Sequence, residues 1–311
     1  MKNNLSLLFL SVFLFFGCEK EVDLKIDEND SKLILNAWFK TGQHPVVEIN
    51  RSTFIFDKRG TNVIQNAEVT LFENDIEIGT LEHFGSGFYQ NESIEIKPNT
   101  AYKILAKVDG FEEIKAIEKS SKKLTEDEYE FEYRTVEDMQ HGYEERSEID
   151  ITIKDKALTD DFYLFRLKNT SKDWNTDNPG DTTYSETYTY IESSDLQIED
   201  VYLNSIGNLK ILKDEIFNGN EYTIRFNSYD LRKDVYTDGT YYSEQQNIFE
   251  IHRISKSFYL YLKSVQFNQY PDPFTEPTQI FTNVENGYGI LATSAVVELP
   301  IDEFGEIEIN E

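Results

Sequence analysis

A mainly β protein is what this sequence predicts: an N-terminal immunoglobulin-like sandwich, then a larger β-rich domain with one C-terminal amphipathic helix. Three observations carry the prediction. Short apolar or alternating runs rich in β-branched and aromatic residues recur from Leu33 onward. Turn-forming residues punctuate them at short intervals. Only one stretch, near the C-terminus, holds a clear helical period.

The chain begins with Lys2 and an apolar run from Leu5 to Phe16, broken only by Ser6 and Ser11. That is the layout of a signal peptide, residues 1–17. Crossing the hydrocarbon core as a helix takes about 20 apolar residues, so the run is an export signal rather than a span. Phe15-Phe16-Gly17-Cys18 resembles a bacterial lipobox, with Phe15 where leucine is usual. Cys18 is the single cysteine and has no partner for an intramolecular disulfide. Lipidation at Cys18 accounts for it; the bland alternative is a cleaved leader with a stray thiol. At about 0.8 kcal/mol per buried CH₂, the several acyl chains of a bacterial lipoprotein hold it firmly in a membrane. Residues 18–31 are then a tether, opening Glu19-Lys20-Glu21-Val22-Asp23. It resembles the acidic tag that carries some Bacteroidota lipoproteins across the outer membrane, so the expected address is that membrane, surface-exposed in preference to periplasmic.

Residues 32–120 hold the predicted sandwich. Leu33–Phe39, Val46–Ile49, Ala67–Phe72, Ile76–Leu81, Phe88-Tyr89 and Ala101–Val108 read as strands, separated by signals such as Gly85-Ser86-Gly87 and Pro98-Asn99. An acidic connector follows over 121–148, either a long strand or a linker. From 149 to 311 strand patterns return at Ile149–Ile153 and Phe162–Leu167, and Asp238-Gly239 marks a hairpin. The helix is expected over 255–268, where Ile254, Phe258, Leu262 and Val265 fall on one face. Pro271, Pro273 and Pro277 then force an extended exit, and Asn286-Gly287 with Gly289 permit a tight turn before a closing strand at Ile290-Leu291-Ala292. A ligand against those glycines is the functional alternative to the turn.

Composition limits partners. Lys and Arg number 30 against 58 Asp and Glu, a formal charge of −28, and loss of Lys2 with the leader makes it one more negative. Nucleic acid and anionic lipid are repelled by such a surface, since phosphate binding needs clustered cations.

Several segments resemble one family. Lys213–Tyr222, the helix with Tyr259, Tyr261, Leu262 and Lys263, and above all Asp272–Gly289, DPFTEPTQIFTNVENGYG, look like the Bacteroidota family catalogued as domain of unknown function 4249. The resemblance covers nearly the whole chain. It implies a cell-envelope lipoprotein often found beside a TonB-dependent outer-membrane receptor, and it implies no chemistry.

Catalytic signatures are sparse. His44, His83, His141 and His252 are far apart, and no short metal spacing, nucleophile elbow or phosphate loop occurs. Ser120 and Lys123 satisfy Ser-x-x-Lys but sit in the charged run Lys119–Lys123, where a linker is the better reading. Asp173, Asn175, Asp177 and Asp181 surround Pro179-Gly180 and offer oxygens of the kind Ca²⁺ takes, with a plain acidic turn as the alternative. Trp174, Tyr184, Tyr188 and Tyr190 offer a stacking face for a glycan or peptide, with sheet packing as the alternative. No other cofactor is implied. The expected function is non-catalytic: an accessory of a TonB-dependent receptor, with a stand-alone glycan or peptide binder and then a hydrolase as the alternatives.

Overall fold

The computed structural model describes residues 31–53, 62–137, 145–156, 159–203, 206–229, 231, 235–237, 241–269 and 278–301. The leader, Cys18, the tether before Ser31, Asp238-Gly239 and the three prolines at 271, 273 and 277 lie outside the described residues. The protein is mainly β, with one α-helix near the C-terminal end of the described chain.

The N-terminal strands are β1 Leu33–Lys40, β2 Val46–Arg51, β3 Glu68–Glu73, β4 Ile76–Gly85, β5 Phe88–Gln90, β6 Ala101–Lys107 and β7 Ile114–Lys119. Alternation decides their facing: in β1, Leu33, Leu35, Ala37 and Phe39 are buried while the residues between them are half-exposed. Two layers result. The first half of β4 pairs with β3, and its second half, Glu82 to Gly85, pairs with β5, so one strand bends from one layer into the other. Between the layers Phe39 meets Tyr102 edge-on at 6.0 Å. Both large buried tyrosines of these N-terminal strands are satisfied: Tyr89 donates to the Ile64 carbonyl (3.0 Å), and Tyr102 accepts the Lys97 N–H (2.8 Å). Ser120 is buried and donates to the Lys97 carbonyl, a structural use that leaves no free nucleophile.

The remaining elements are β8 Tyr129–Glu137, β9 Glu145–Lys154, β10 Phe162–Asn175, β11 Asn178–Thr189, β12 Glu199–Leu203, β13 Gly207–Lys213, β14 Glu221–Ser228, β15 Val235–Thr237, β16 Tyr241–Ile254, α1 Lys256–Gln269, β17 Val284–Glu285 and β18 Tyr288–Ile301. Strand β8 lies within the acidic connector and forms a three-stranded sheet with β9 and β14. β15 and β16 make the expected hairpin, with Thr237 opposite Tyr241.

The two halves share a sheet. β18 runs parallel to β1, pairing Ile34 with Tyr288 through Lys40 with Ser294, so the order β12-β13-β10-β16-β18 continues into β1-β2-β5. Val284 and Leu291 accordingly belong to the N-terminal core. The small sheet covers one face of the large one, burying Phe165, Phe226 and Phe249 with ring centroids 5.1 to 6.3 Å apart. Helix α1 covers the other face, setting Phe258 and Leu262 against Phe162, Leu164, Ile254 and Ile290. Among the described residues no helix is long and apolar enough to cross a membrane.

Ser255 starts α1. Its Oγ accepts the N–H of Phe258 and that of Thr293, both at 3.3 Å, capping the helix and tying it to β18 at once. Ser255→Ala is expected to cost about 1–2 kcal/mol, the upper range of an N-cap loss, as a lower midpoint in urea with an unchanged slope.

Candidate functional site

The face of the large sheet that carries α1 also carries the candidate site, and strand alternation puts it there. In β10, Phe162, Leu164, Arg166, Lys168, Thr170, Lys172 and Trp174 point the same way. Pairing sets Ile254, His252, Glu250, Ile248, Gln246, Glu244 and Tyr242 of β16 beside them, and Tyr188, Glu186 and Tyr184 of β11 on the other flank. The end under α1 is apolar, the middle ionic, and the far end open.

In the ionic middle Glu250 is buried and held by Arg166 Nε, by Lys168 Nζ at 3.0 Å and by His252 Nε2 at 3.0 Å. Burial alone would raise the Glu250 carboxyl, but the His252 hydrogen bond and the Arg166 and Lys168 charges outweigh it. They hold the group well below the usual carboxylate range. His252 is pushed down to about 4, by burial first, although Glu250 pulls it the other way. The Arg166 guanidinium lies 4.1 Å from the Tyr188 ring and 5.2 Å from that of Trp38. Lys40 sits 4.7 Å from the Trp38 ring, its pKa lowered by burial and by Arg166.

This cluster contains a constellation that resembles a hydrolytic triad. His252 Nδ1 is 3.4 Å from Ser294 Oγ, and Nε2 is 3.0 Å from Glu250. Access is what it lacks. Ser294 and His252 are 0% exposed, and Trp38 Nε1–H already donates to Ser294 Oγ at 2.8 Å. Trp38 also packs on both His252 and Phe258, at 5.6 and 5.1 Å, and closes the ring off from substrate. The arrangement joins β1, β16 and β18; it does not present a nucleophile.

At the open end the same face forms a groove of about 640 Å³. Thr170, Lys172, Tyr184, Glu186, Glu244 and Gln246 line it, with Ser171, Ser185 and Gln245 between them. Tyr184 is 75% exposed. Beyond the groove Trp174 and Tyr242 stack at 5.6 Å and 14°, and Lys172 Nζ lies 5.2 Å from the Trp174 ring. Tyr188 stands at the inner end, donating to Glu186; burial and that carboxylate raise its pKa.

Three of the four aromatic candidates, Trp174, Tyr184 and Tyr188, therefore share a face. Tyr190 does not join them. It stacks against Lys210 Nζ at 4.6 Å and lines a separate groove with Glu199, Tyr202 and Phe267. Of the four calcium candidates, Asp173 and Asn175 stand at the end of β10, Asp177 in the turn that follows, and Asp181 in strand β11. Asp173 accepts from Ser171 (2.9 Å), Asn175 Oδ1 accepts the Asp177 N–H (2.8 Å), and Asp177 and Asp181 are exposed. Glu250, Arg166 and Lys168 were not among the sequence candidates; the alternation Glu250-Ile251-His252 within an apolar strand was the available signal.

The pattern of the family described as Domain of unknown function (DUF4249) matches residues 19–299, and the chain belongs to that family. No curated protein matches the chain. Among solved structures it is similar to the yeast delta-COP-I mu-homology domain, at 9% identity and TM-score 0.20, covering 88% of this chain and 94% of that one. The same yeast domain complexed with a Dsl1 WxWxV peptide gives 10% identity, TM-score 0.19 and coverages of 90% and 96%.

Proposed function

We propose that this member of the DUF4249 family is a non-catalytic, lipid-anchored outer-membrane protein that captures an extended, neutral oligosaccharide beside a TonB-dependent receptor. The observation that supports capture is the groove on β11, β10 and β16. The exposed Tyr184 ring offers a flat apolar face to sugar rings and the half-buried Trp174, stacked on Tyr242, stands just beyond it, while Glu186, Glu244, Gln246 and Thr170 supply acceptors and donors for hydroxyls. Its open form suits a chain laid along the strands, and the charge of −28 disfavours an anionic ligand. Next to it on the same face, the Arg166–Glu250–Lys168 cluster fixes the strands that present these side chains. Lipid anchoring rests on the layout around Cys18, and the receptor partnership on the resemblance of the chain to envelope lipoproteins.

Mild-detergent purification of the tagged protein from native membranes, with mass spectrometry of what accompanies it, tests the reading. The wild type is expected to bring a receptor and a bound glycan. Cys18→Ala loses the receptor and leaves the membrane fraction. Trp174→Ala with Tyr184→Ala keeps the receptor and loses the glycan. Recovery of the lipoprotein alone from every preparation refutes the partnership, and a peptide in place of the glycan refutes the ligand class.

A further inference from the structure

A second cluster lies at the opposite end of β10 from the groove. Asp155 follows β9, Asp161 precedes β10, and Asp214 opens the 3-10 turn Asp214–Ile216 after β13. A carboxylate oxygen from each lies within 4.8 Å of the others. Proximity alone would mean little in so acidic a protein; the state of the oxygens adds an independent observation. Asp214 is 0% exposed: its Oδ2 accepts the Asp161 N–H at 2.8 Å, while its Oδ1 is buried with no donor among the described residues. Asp155 repeats the pattern, with Oδ2 accepting the Gly219 N–H at 2.7 Å and Oδ1 buried and, among the described residues, unpartnered. An orphaned buried carboxylate oxygen is costly unless a proton or a cation meets it.

The charges facing the trio do not supply that cation. Arg253 Nε lies 3.4 Å from Asp161 Oδ1, but Arg253 also faces Glu128 at 3.4 Å, and Asp160 adds a further negative charge. Tyr163, packed alongside, brings a buried hydroxyl and no charge. Burial and the neighbouring aspartates push Asp214 up to about 6, so at neutral pH the Asp214 carboxyl is mainly ionised.

We propose that Asp155, Asp161 and Asp214 bind one Ca²⁺ ion, which joins the end of β9 in the small sheet to the entry of β10 and the exit of β13 in the large one. Carboxylate oxygens alone make a hard donor set. Opposite oxygens around Ca²⁺ stand about 4.6–5.2 Å apart, twice its 2.3–2.6 Å bond length, so oxygens within 4.8 Å fit a single ion. Ca²⁺ accepts the irregular geometry of three separate connections and completes its shell with water, whereas Mg²⁺ demands a near-ideal octahedron. Three protein carboxylates place affinity in the extracellular class, Kd about 0.1–1 mM.

The full mature chain, treated with chelator and then titrated with Ca²⁺ or Mg²⁺ by calorimetry and thermal melting, tests this. One site in that affinity range and a rise in Tm with Ca²⁺ are expected, with a smaller rise for Mg²⁺. Asp214→Asn and Asp155→Asn each weaken Ca²⁺ at least tenfold. In chelator at pH 7, Asp214→Asn melts no lower than wild type, because it removes repulsion, and this separates lost binding from lost folding. Absence of any heat or Tm shift at about 10 mM Ca²⁺, well above the expected Kd, overturns the site. So does a shift that both variants retain, which assigns binding to the general acidic surface, and so does an Mg²⁺ response equal to that of Ca²⁺. Stabilisation by acidification from pH 7 to 5 with no response to Ca²⁺ assigns the trio to a shared proton.

Discussion

Glu250→Ala is expected to lower the unfolding free energy by about 3–5 kcal/mol, measured by urea denaturation at pH 7. The substitution leaves Arg166, which is 3% exposed, and the partly buried Lys168 without their shared carboxylate, and Lys40 already stands nearby as a destabilised cation. Uncompensated buried charge, more than the lost attraction, sets the size of the effect. Replacing the pair together, Arg166→Met with Glu250→Leu, is expected to cost clearly less than Glu250→Ala alone. A double variant as damaged as the single one would show that the cluster is not coupled in this way. The same groups fix an acid response. His252, neutral in the fold with a value near 4 against 6.5 ordinarily, favours protonation of the unfolded chain, so stability falls as pH drops below about 6.5. Glu250, depressed below its ordinary 4.5, contributes stability that is present above that value and lost beneath it. Asp214, raised, acts in the opposite sense between its ordinary 3.8 and about 6, so the His252 slope is best read in an Asp214→Asn background.

Gly289→Ala is expected to cost about 3 kcal/mol or more, from positive-φ strain and overpacking together, and to reduce the yield of folded protein. Gly289 has φ +100°, and a Cβ there would meet the Leu35 carbonyl oxygen at 2.1 Å and its carbon at 2.8 Å. Both are backbone atoms of β1, so relief requires β1 and β18 to separate along the parallel ladder that unites the two halves. Gly42 supplies the control, with φ +84° and nothing within 4 Å of a Cβ. Gly42→Ala carries the backbone strain without the collision and is expected to cost about 1 kcal/mol. Equal costs would mean that close strand approach is not what glycine 289 provides. The geometry also decides the role of the Asn286-Gly287 and Gly289 segment: the group approaching that backbone is the chain's own β1, and Asn286 takes the turn at φ 62°.

Much of the fold is legible in the sequence because one face of each short strand is buried. Leu33 to Phe39 alternates cleanly, and the stripe Ile254, Phe258, Leu262 marks α1 with Ser255 as its cap. The parallel β1–β18 pair is not legible, since nothing in Leu33-Ile34-Leu35 names a partner near residue 290. The long polar ends of β10, β11 and β16 are hidden for a related reason. Lys168, Lys172, Glu186 and Glu244 lack an apolar period because that face is solvated, and their alternation becomes visible only when pairing aligns them. Trp174, Tyr184 and Tyr188 were nameable as aromatic candidates near one turn; which of them cooperate depended on register. The Asp155, Asp161 and Asp214 cluster was beyond sequence reading, because three aspartates among 58 acidic residues are distinguished only by burial and by what their oxygens lack.

Titration of the mature chain with neutral oligosaccharides, followed by calorimetry and by fluorescence change at Trp174, tests the capture groove most directly. Binding is expected for at least one extended neutral glycan. Trp174→Ala or Tyr184→Ala should weaken it about tenfold, with Tm unchanged for Tyr184→Ala because Tyr184 is 75% exposed, and slightly lowered for Trp174→Ala because the stack on Tyr242 is lost. No binding across a broad glycan set, or binding that both substitutions leave intact, would contradict the account.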